Sequence, residues 1–416
     1  MNERKGLAMF SARWRERRRW DRDRHAELCR KDGDGRPNVK HGPGFLYRPR
    51  QVLVGTDTPL LPTVVEQLTR RGGVPDNELD RRFATAGLPV RAFLMPAEVD
   101  IPALVTRLRR QQPREPIPQI APNHVLCGEP DYHGGPAGEP LNAQPFPEEP
   151  YSNPVKGPPV IAVLDTGYDP AVPQLHKGLA WRIVFTPADE ENAIGANGYL
   201  RAEGGHGTFV DGVIMRLAPQ AIIRQVLVLN PDGVGDDASV AIGISQAKTP
   251  VINLSLGGYT QHDAPPPATS AALAALPPDV AVIAAAGNNN SSRKFYPAAH
   301  ERVIGVGAVD TSNGQLGKAS FSNYGGWVKV YLPGVGVRST YLRAIWKLPS
   351  DPQPRPIDGT ARWGGTSFCA PQFAALIAAA IPQAGTARQV AQQLLDSARQ
   401  VANVGAVLIP GPGVID

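Results

Sequence analysis

Five short apolar segments, at residues 160–164, 221–229, 251–254, 280–284 and 303–308, constrain this chain more than anything else in it. Each is rich in Val, Ile and Ala at successive positions, so a strand built from it is buried on both faces. Stretches of helical pattern separate them. That alternation predicts an α/β domain, a mainly parallel sheet covered by helices, over residues 160–416. The first segment runs into Asp165-Thr166-Gly167. A carboxylate then stands at the carboxyl end of a parallel strand, where such sheets build their sites. A turn-capping aspartate is the other meaning of the same tripeptide.

Residues 44–127 read as a separate small α+β unit. Strands are expected at 51–54, 82–85, 89–94 and 123–126, and helices at 62–71 and 101–110, with Asp100 as a cap for the second. The order β-α-β-β-α-β is that of a ferredoxin-like split βαβ fold. Residues 128–159 hold nine Pro and five Gly, which excludes a core and predicts an extended linker. Residues 1–43 form a basic tail: up to position 41 lie 13 of the 43 Lys and Arg but only 7 of the 38 Asp and Glu. The remaining 30 basic and 31 acidic residues nearly cancel, so the net charge of +5 belongs to the tail. Its Trp14 and Trp20 among arginines suit stacking on nucleic acid, but interleaved acids and the lack of an accompanying motif favour a solvated helix. Three well-separated cysteines offer no disulfide framework. The longest apolar run, 373–381, is about half of the ~20 residues a membrane span needs, and the first thirty residues contain no signal-like apolar stretch. The expectation is a soluble, cytoplasmic protein without membrane contact.

Ser367 lies in Gly364-Gly365-Thr366-Ser367-Phe368-Cys369-Ala370-Pro371, ahead of that apolar run. Pro371 fits the first turn of a helix. Ser367 is therefore expected at a helix N-terminus, where backbone N–H groups favour a developing negative charge. A plain N-cap serine is the competing reading. His206, in Gly205-His206-Gly207-Thr208, is the one histidine of eight flanked by glycine on both sides, and it opens an apolar helical stretch. A serine hydroxyl needs a base within hydrogen-bond reach, and the base needs a carboxylate to hold its tautomer. Asp165, His206 and Ser367 supply those three groups in the order Asp, His, Ser, one of the chain orders in which such a triad occurs.

With these segments the α/β domain resembles the subtilisin-like serine proteases, the subtilases. The resemblance extends through Ser255-Leu256-Gly257-Gly258, Ala284-Ala285-Ala286-Gly287-Asn288, Tyr296-Pro297-Ala298 and Ser320-Phe321-Ser322-Asn323. It implies that Asn288 donates its side-chain N–H to an oxyanion, with the Ser367 N–H as second donor. Asn288-Asn289-Asn290 read alone is also a polar turn. The resemblance further implies that Ser255, Leu256 and Gly257 pair with a substrate main chain and that Gly233 and Gly235 supply the opposing strand. Ala285, Ala286 and Gly287 would wall the primary specificity pocket. Such small walls suit a sizeable apolar side chain, while nearby Arg293 and Lys294 would suit an acid.

Some positions depart from the family pattern: Phe209, Asp211, Phe368 and Cys369. Asp211 is expected to raise the His206 pKa, and Cys369 to be a small buried residue. No cofactor is required by these residues and no metal site is read; calcium is possible through the resemblance alone, and Asp236-Asp237 reads as a helix start. The family's small propeptides recast 44–127 as an inhibitory unit whose terminal segment leads to the cleft. The implied activity is serine endopeptidase action on protein or peptide substrates, made as an autoinhibited zymogen. The alternative is a dedicated intracellular processing protease for one partner or precursor.

Overall fold

The computed structural model describes residues 38–57, 60–110, 119–128, 140–146, 157–311, 316–348 and 351–411. The arginine- and tryptophan-bearing segment of the tail lies outside them, as do the linker stretches 129–139 and 147–156.

The N-terminal unit runs β1 (Phe45–Gly55), α1 (Leu61–Thr69), β2 (Val74–Pro75), α2 (Asn77–Thr85), β3 (Val90–Leu94), α3 (Ile101–Arg110) and β4 (Ile120–Cys127). Its strands pair in the order β4-β1-β3-β2, each neighbour antiparallel, which is the arrangement of a split βαβ fold. Val64 and Leu68 of α1 and Leu104, Val105 and Leu108 of α3 bury one helical face each against Val52 and Val54 of β1. Asp100 starts α3 by accepting the Ala103 N–H at 3.0 Å.

One element differs from expectation. Residues 82–85 are not a strand but the last turn of α2, an additional helix. Asp76 caps it by accepting from Leu79 N at 3.1 Å, and Leu79 and Phe83, four apart, bury the same face. Four residues are too few to distinguish period 2 from period 3.6, and the cap decides the outcome.

A short strand of the linker, β5 (Leu141–Asn142), precedes the large domain. There the five apolar segments form β6 (Val160–Asp165), β7 (Ile222–Leu227), β9 (Val251–Leu254), β10 (Ala281–Ala285) and β11 (Ile304–Asp310), with β8 (Val234–Asp236) apart from their sheet. Pairing β7-β6-β9-β10-β11-β12 is parallel throughout, β12 being Val328–Pro333. Alternate residues enter different cores. Ile161, Val163 and Ile283 meet α4 (His206–Leu217) and α7 (Cys369–Ala384), as Phe209, Phe373 and Ile377 show. Ala162, Leu164 and Val282 meet α5 (Asp237–Ala247) and α6 (Pro267–Ala274). Burial on both faces is the physical reason these strands show no alternation.

The second core is shared. Leu53, Leu79 and Phe83 of the N-terminal unit join it, so that unit is docked by hydrophobic packing as well as by hydrogen bonds. Among the described residues no single helix is long and apolar enough to cross a membrane. A long hairpin, β13 (Val337–Leu348) and β14 (Asp351–Trp363), was not legible beforehand; β5 adds to its outer edge.

Truncating Phe83 to Ala leaves a cavity in the shared core. It is expected to cost about 3–5 kcal/mol, read by chemical denaturation of the full chain.

Candidate active site

Asp165 ends β6 and His206 opens α4, and the two meet in the interior. His206 Nδ1 lies 2.7 Å from Asp165 Oδ1, with both side chains essentially without solvent access. Asp165 Oδ1 also accepts from Thr166 N at 2.8 Å. Close approach of helix to strand end depends on Gly207, where a Cβ would stand 2.5 Å from the Gly167 carbonyl oxygen, while Gly167 itself, at φ +92°, passes against the Asp189 carbonyl. Gly207 N, in the first turn of α4, then donates to Thr166 Oγ1 at 3.1 Å. The imidazole is enclosed by Trp363, edge-on at 5.5 Å, and by Phe368 at 5.4 Å. Burial alone would lower its pKa, but the Asp165 charge and hydrogen bond, with the Glu203 charge, raise it above 6.5.

Ser367 sits in a single turn, Thr366–Phe368, that runs into α7. Its Oγ donates to the Ser255 carbonyl at 3.4 Å, and no hydrogen bond to His206 is formed in this conformer. Nucleophile–base bonds are commonly long or misaligned until substrate is in place. Ser255 Oγ donates in turn to the Ser367 carbonyl at 2.7 Å, which ties the nucleophile's turn to the end of β9. Asn288 Oδ1 accepts from both Thr366 N and Thr366 Oγ1 at 2.9 Å. That fixes the carboxamide with its N–H₂ end toward Gly365, whose Cβ position is 3.4 Å from Asn288 Nδ2. Gly287 N donates to Thr366 Oγ1 at 3.0 Å. Thr366 therefore aligns the amide group beside the serine.

The N-terminal unit ends in the adjoining cleft. On one side β4 pairs antiparallel with β8, Cys127 opposite Val234 and Leu126 opposite Gly235. On the other, Cys127 N donates to Gly257 O at 2.7 Å and Gly257 N to Cys127 O at 2.9 Å. Gly128 N donates to Gly233 O at 2.9 Å. Gly233, Gly235 and Gly257 thus bracket a polypeptide through backbone groups, while the Leu256 side chain is spent in the second core. Ala285 and Ala286 are buried where β10 ends.

Several participants were not visible in the sequence. Phe295 lies between Gly257 and Gly287: a Cβ on either would stand 2.2 and 3.1 Å from its ring. Glu203 reaches the cleft beside Gly128, with Oε2 3.8 Å from that glycine's Cβ position. Trp363 and Tyr341 come from the hairpin, and with Phe209 and Phe368 they make one aromatic cluster behind His206, Phe209 and Phe368 at 4.4 Å. Two of the sequence's departures thus pack on each other. Gly212 permits this arrangement, since a Cβ there would stand 2.2 Å from Thr340 Oγ1; Ser339 Oγ donates to Phe209 O at 2.7 Å.

Two expectations need correction. Asp211 is not an acidic neighbour raising the His206 pKa. It accepts from Gln225 Nε2 at 2.6 Å, and burial pushes its own pKa well above the carboxylate range. Glu203 is the second carboxylate that acts on His206. Arg293 does not offer its charge to an acidic substrate side chain: it bonds Asp263 Oδ1 at 2.5 Å, Thr260 O at 2.8 Å and the Gly44 carbonyl, over the Tyr259 ring. Cys369 is buried with Sγ 3.3 Å from Leu332 O, and burial raises its thiol pKa well above normal. Asp236 caps α5. Among the described residues no group of three or more His, Cys, Asp and Glu could hold a metal ion.

The sequence pattern of the subtilase family matches residues 157–411. Subtilisin DY of Bacillus licheniformis is 32% identical over 227 residues, 51% of this chain and 76% of that protein. A thermophilic serine proteinase of Bacillus sp. (strain AK1) is 34% identical over 258 residues, 59% and 57%. A thermostable alkaline protease of Halalkalibacterium halodurans is 36% identical over 193 residues, 44% and 49%. The chain therefore spans about three quarters of the first and about half of the other two. The crystal structure of fervidolysin from Fervidobacterium pennivorans, a keratinolytic enzyme related to subtilisin, superposes with TM-score 0.59 at 21% identity, covering 89% of this chain and 61% of that one. That extent takes in part of the N-terminal unit, and it speaks for the fold.

In an NMR titration of the full chain, His206 should titrate above 6.5. Glu203→Gln should move the midpoint down, because a negative charge that favours the imidazolium is gone. A midpoint unmoved by that substitution would show that the carboxylate does not act on the ring.

Proposed function

The chain belongs to the subtilase family, and on that premise we propose that it is a serine endopeptidase held latent by its own N-terminal unit. The observation that carries this reading is the bracketing of Leu126–Gly128 between Gly233–Gly235 and Gly257. A cleft that binds an extended backbone on both edges, next to a serine, a histidine and an oriented amide, is suited to polypeptide substrates.

In the proposed reaction Ser367 Oγ attacks the scissile carbonyl carbon while His206 Nε2 takes its proton. The carbonyl π pair moves onto oxygen, where Asn288 Nδ2–H and the Ser367 N–H donate to it. His206 returns the proton to the leaving amine, and the C–N bond breaks to give an acyl-enzyme. Water, deprotonated by the same imidazole, then attacks the ester and releases the acid and Ser367. Asp165 stays ionised throughout and stabilises the imidazolium. Calcium is a further family expectation that enters no step.

Latency follows from occupancy: while Cys127 and Gly128 hold the two edges, no other peptide can. The N-terminal unit also contributes Leu53 and Phe83 to a core of the large domain. That docking supports latency; a protease dedicated to one partner or precursor is the alternative to general degradation.

Ser367→Ala should abolish labelling by a fluorophosphonate probe, and labelling that persists would sink the assignment. Asn288→Ala should lower kcat by about 10²–10³-fold. Cys127→Pro removes the N–H that donates to Gly257 and should speed labelling of the full chain; an unchanged rate would overturn the inhibitor role. Digestion of an unrelated denatured protein by the activated enzyme separates general from dedicated action.

A further inference from the structure

The hairpin β13–β14 has two long edges, and the outer edge of β14 carries the linker. Leu141 and Asn142 pair antiparallel with Arg362 and Ala361. Ala143 N donates to Thr360 O at 3.0 Å, and Asn142 Oδ1 accepts from Asp358 N at 2.9 Å. Four residues past Asn142, the Phe146 ring lies between two guanidinium groups, Arg216 at 3.0 Å and Arg338 at 4.4 Å from its centroid. Arg216 is in the last turn of the helix that begins with His206, and Arg338 is near the start of β13. Leu141 remains 45% exposed and Phe146 half-buried, so the segment rests on the domain rather than contributing to its core.

We propose that the β14 edge, with Arg216 and Arg338, is a peptide-binding exosite for an extended segment carrying an aromatic side chain. Its resident occupant is the chain's own linker, residues 141–146. Three features carry this. The contacts combine strand addition, which is indifferent to sequence, with one aromatic anchor, the division between affinity and selectivity found in strand-adding peptide sites. Two cations on one ring supply an attraction that an aliphatic side chain cannot replace. And the bound segment is shallow, preceded by Pro140 and containing Pro145, which restrict the unbound chain and reduce the entropy lost on docking.

The site is continuous with the catalytic centre without being part of it. β14 ends at Trp363, whose ring touches His206, and Ser367 follows four residues later. A segment on this edge therefore lies on the same stretch of chain that presents the nucleophile.

The experiment needs no catalysis, so its failure is distinct from failure of the protease reading. In the full chain carrying Ser367→Ala, amide hydrogen exchange is followed in residues 141–146. The segment should exchange more slowly than a free peptide of the same sequence, and Phe146→Ala should speed it tenfold or more. Arg216→Ala with Arg338→Ala should do the same while β13 and α4 keep their protection, which separates loss of the site from loss of the fold. Excess synthetic peptide spanning 140–146 should displace the linker and raise its exchange, and its Phe→Ala analogue should not. Exchange at the free-peptide rate, indifference to Phe146, or equal action of the two peptides would each overturn the proposal.

Discussion

A hydrogen bond between an imidazole and a carboxylate, placed where neither meets water, is the interaction around which this domain is built. Removing an ionised Asp165 from solvent is costly, and the 2.7 Å bond from His206 with one backbone N–H offsets only part of that cost. The remainder is supplied by architecture. A parallel sheet delivers Asp165 at a strand end, Gly207 lets the helix approach the Gly167 carbonyl, and His206 is the first residue of that helix. Each device is cheap in sequence and unforgiving in geometry.

The same pair explains the behaviour of the acids nearby. Glu191 accepts from Gly205 N at 3.0 and 3.1 Å, yet burial, with Asp165 close by, raises its pKa well above the usual range. Asp211 is raised for the same reasons. Burial in this low-dielectric neighbourhood, with the Asp165 charge beside them, penalises the charged forms of Glu191 and Asp211 alike. The aromatic cluster of Phe209, Tyr341, Trp363 and Phe368 keeps the dielectric low from the other side.

How much of this could be read in the residues depends on the range of the signal. Asp165, His206 and Ser367 were legible as a set because each sits in a short run of glycines and small residues, whereas Asn288 was reached through the family resemblance. The doubly apolar strands were equally plain. The hairpin was not: β14 contains Pro352, Pro354 and Pro356, which argue against a strand unless its partners lie elsewhere. Glu203 and Phe295 escaped because their meaning comes from what they face across the cleft. Asp211 was misjudged since proximity along a helix says nothing of which way a buried carboxylate turns. The split βαβ unit was legible in outline, and its additional helix was lost in a segment too short to show a period.

Two attachments of different character then join the N-terminal unit and linker to the large domain. The first joins main-chain pairing of β4 with Gly233–Gly235 and Gly257 to hydrophobic packing, in which Leu126, Leu53 and Phe83 enter a core of the large domain. The second, Phe146 between two arginines, depends on one side chain. When two weak sites are joined by a short tether, binding at one sets a high effective concentration at the other. An inhibitor held this way is retained by both attachments together, and losing the weaker one lowers the effective concentration at the cleft. The side chains that select the resident segments, Leu126, Phe83 and Phe146, all pack away from Asp165 and His206, so their selectivity does not compete with the geometry of that pair.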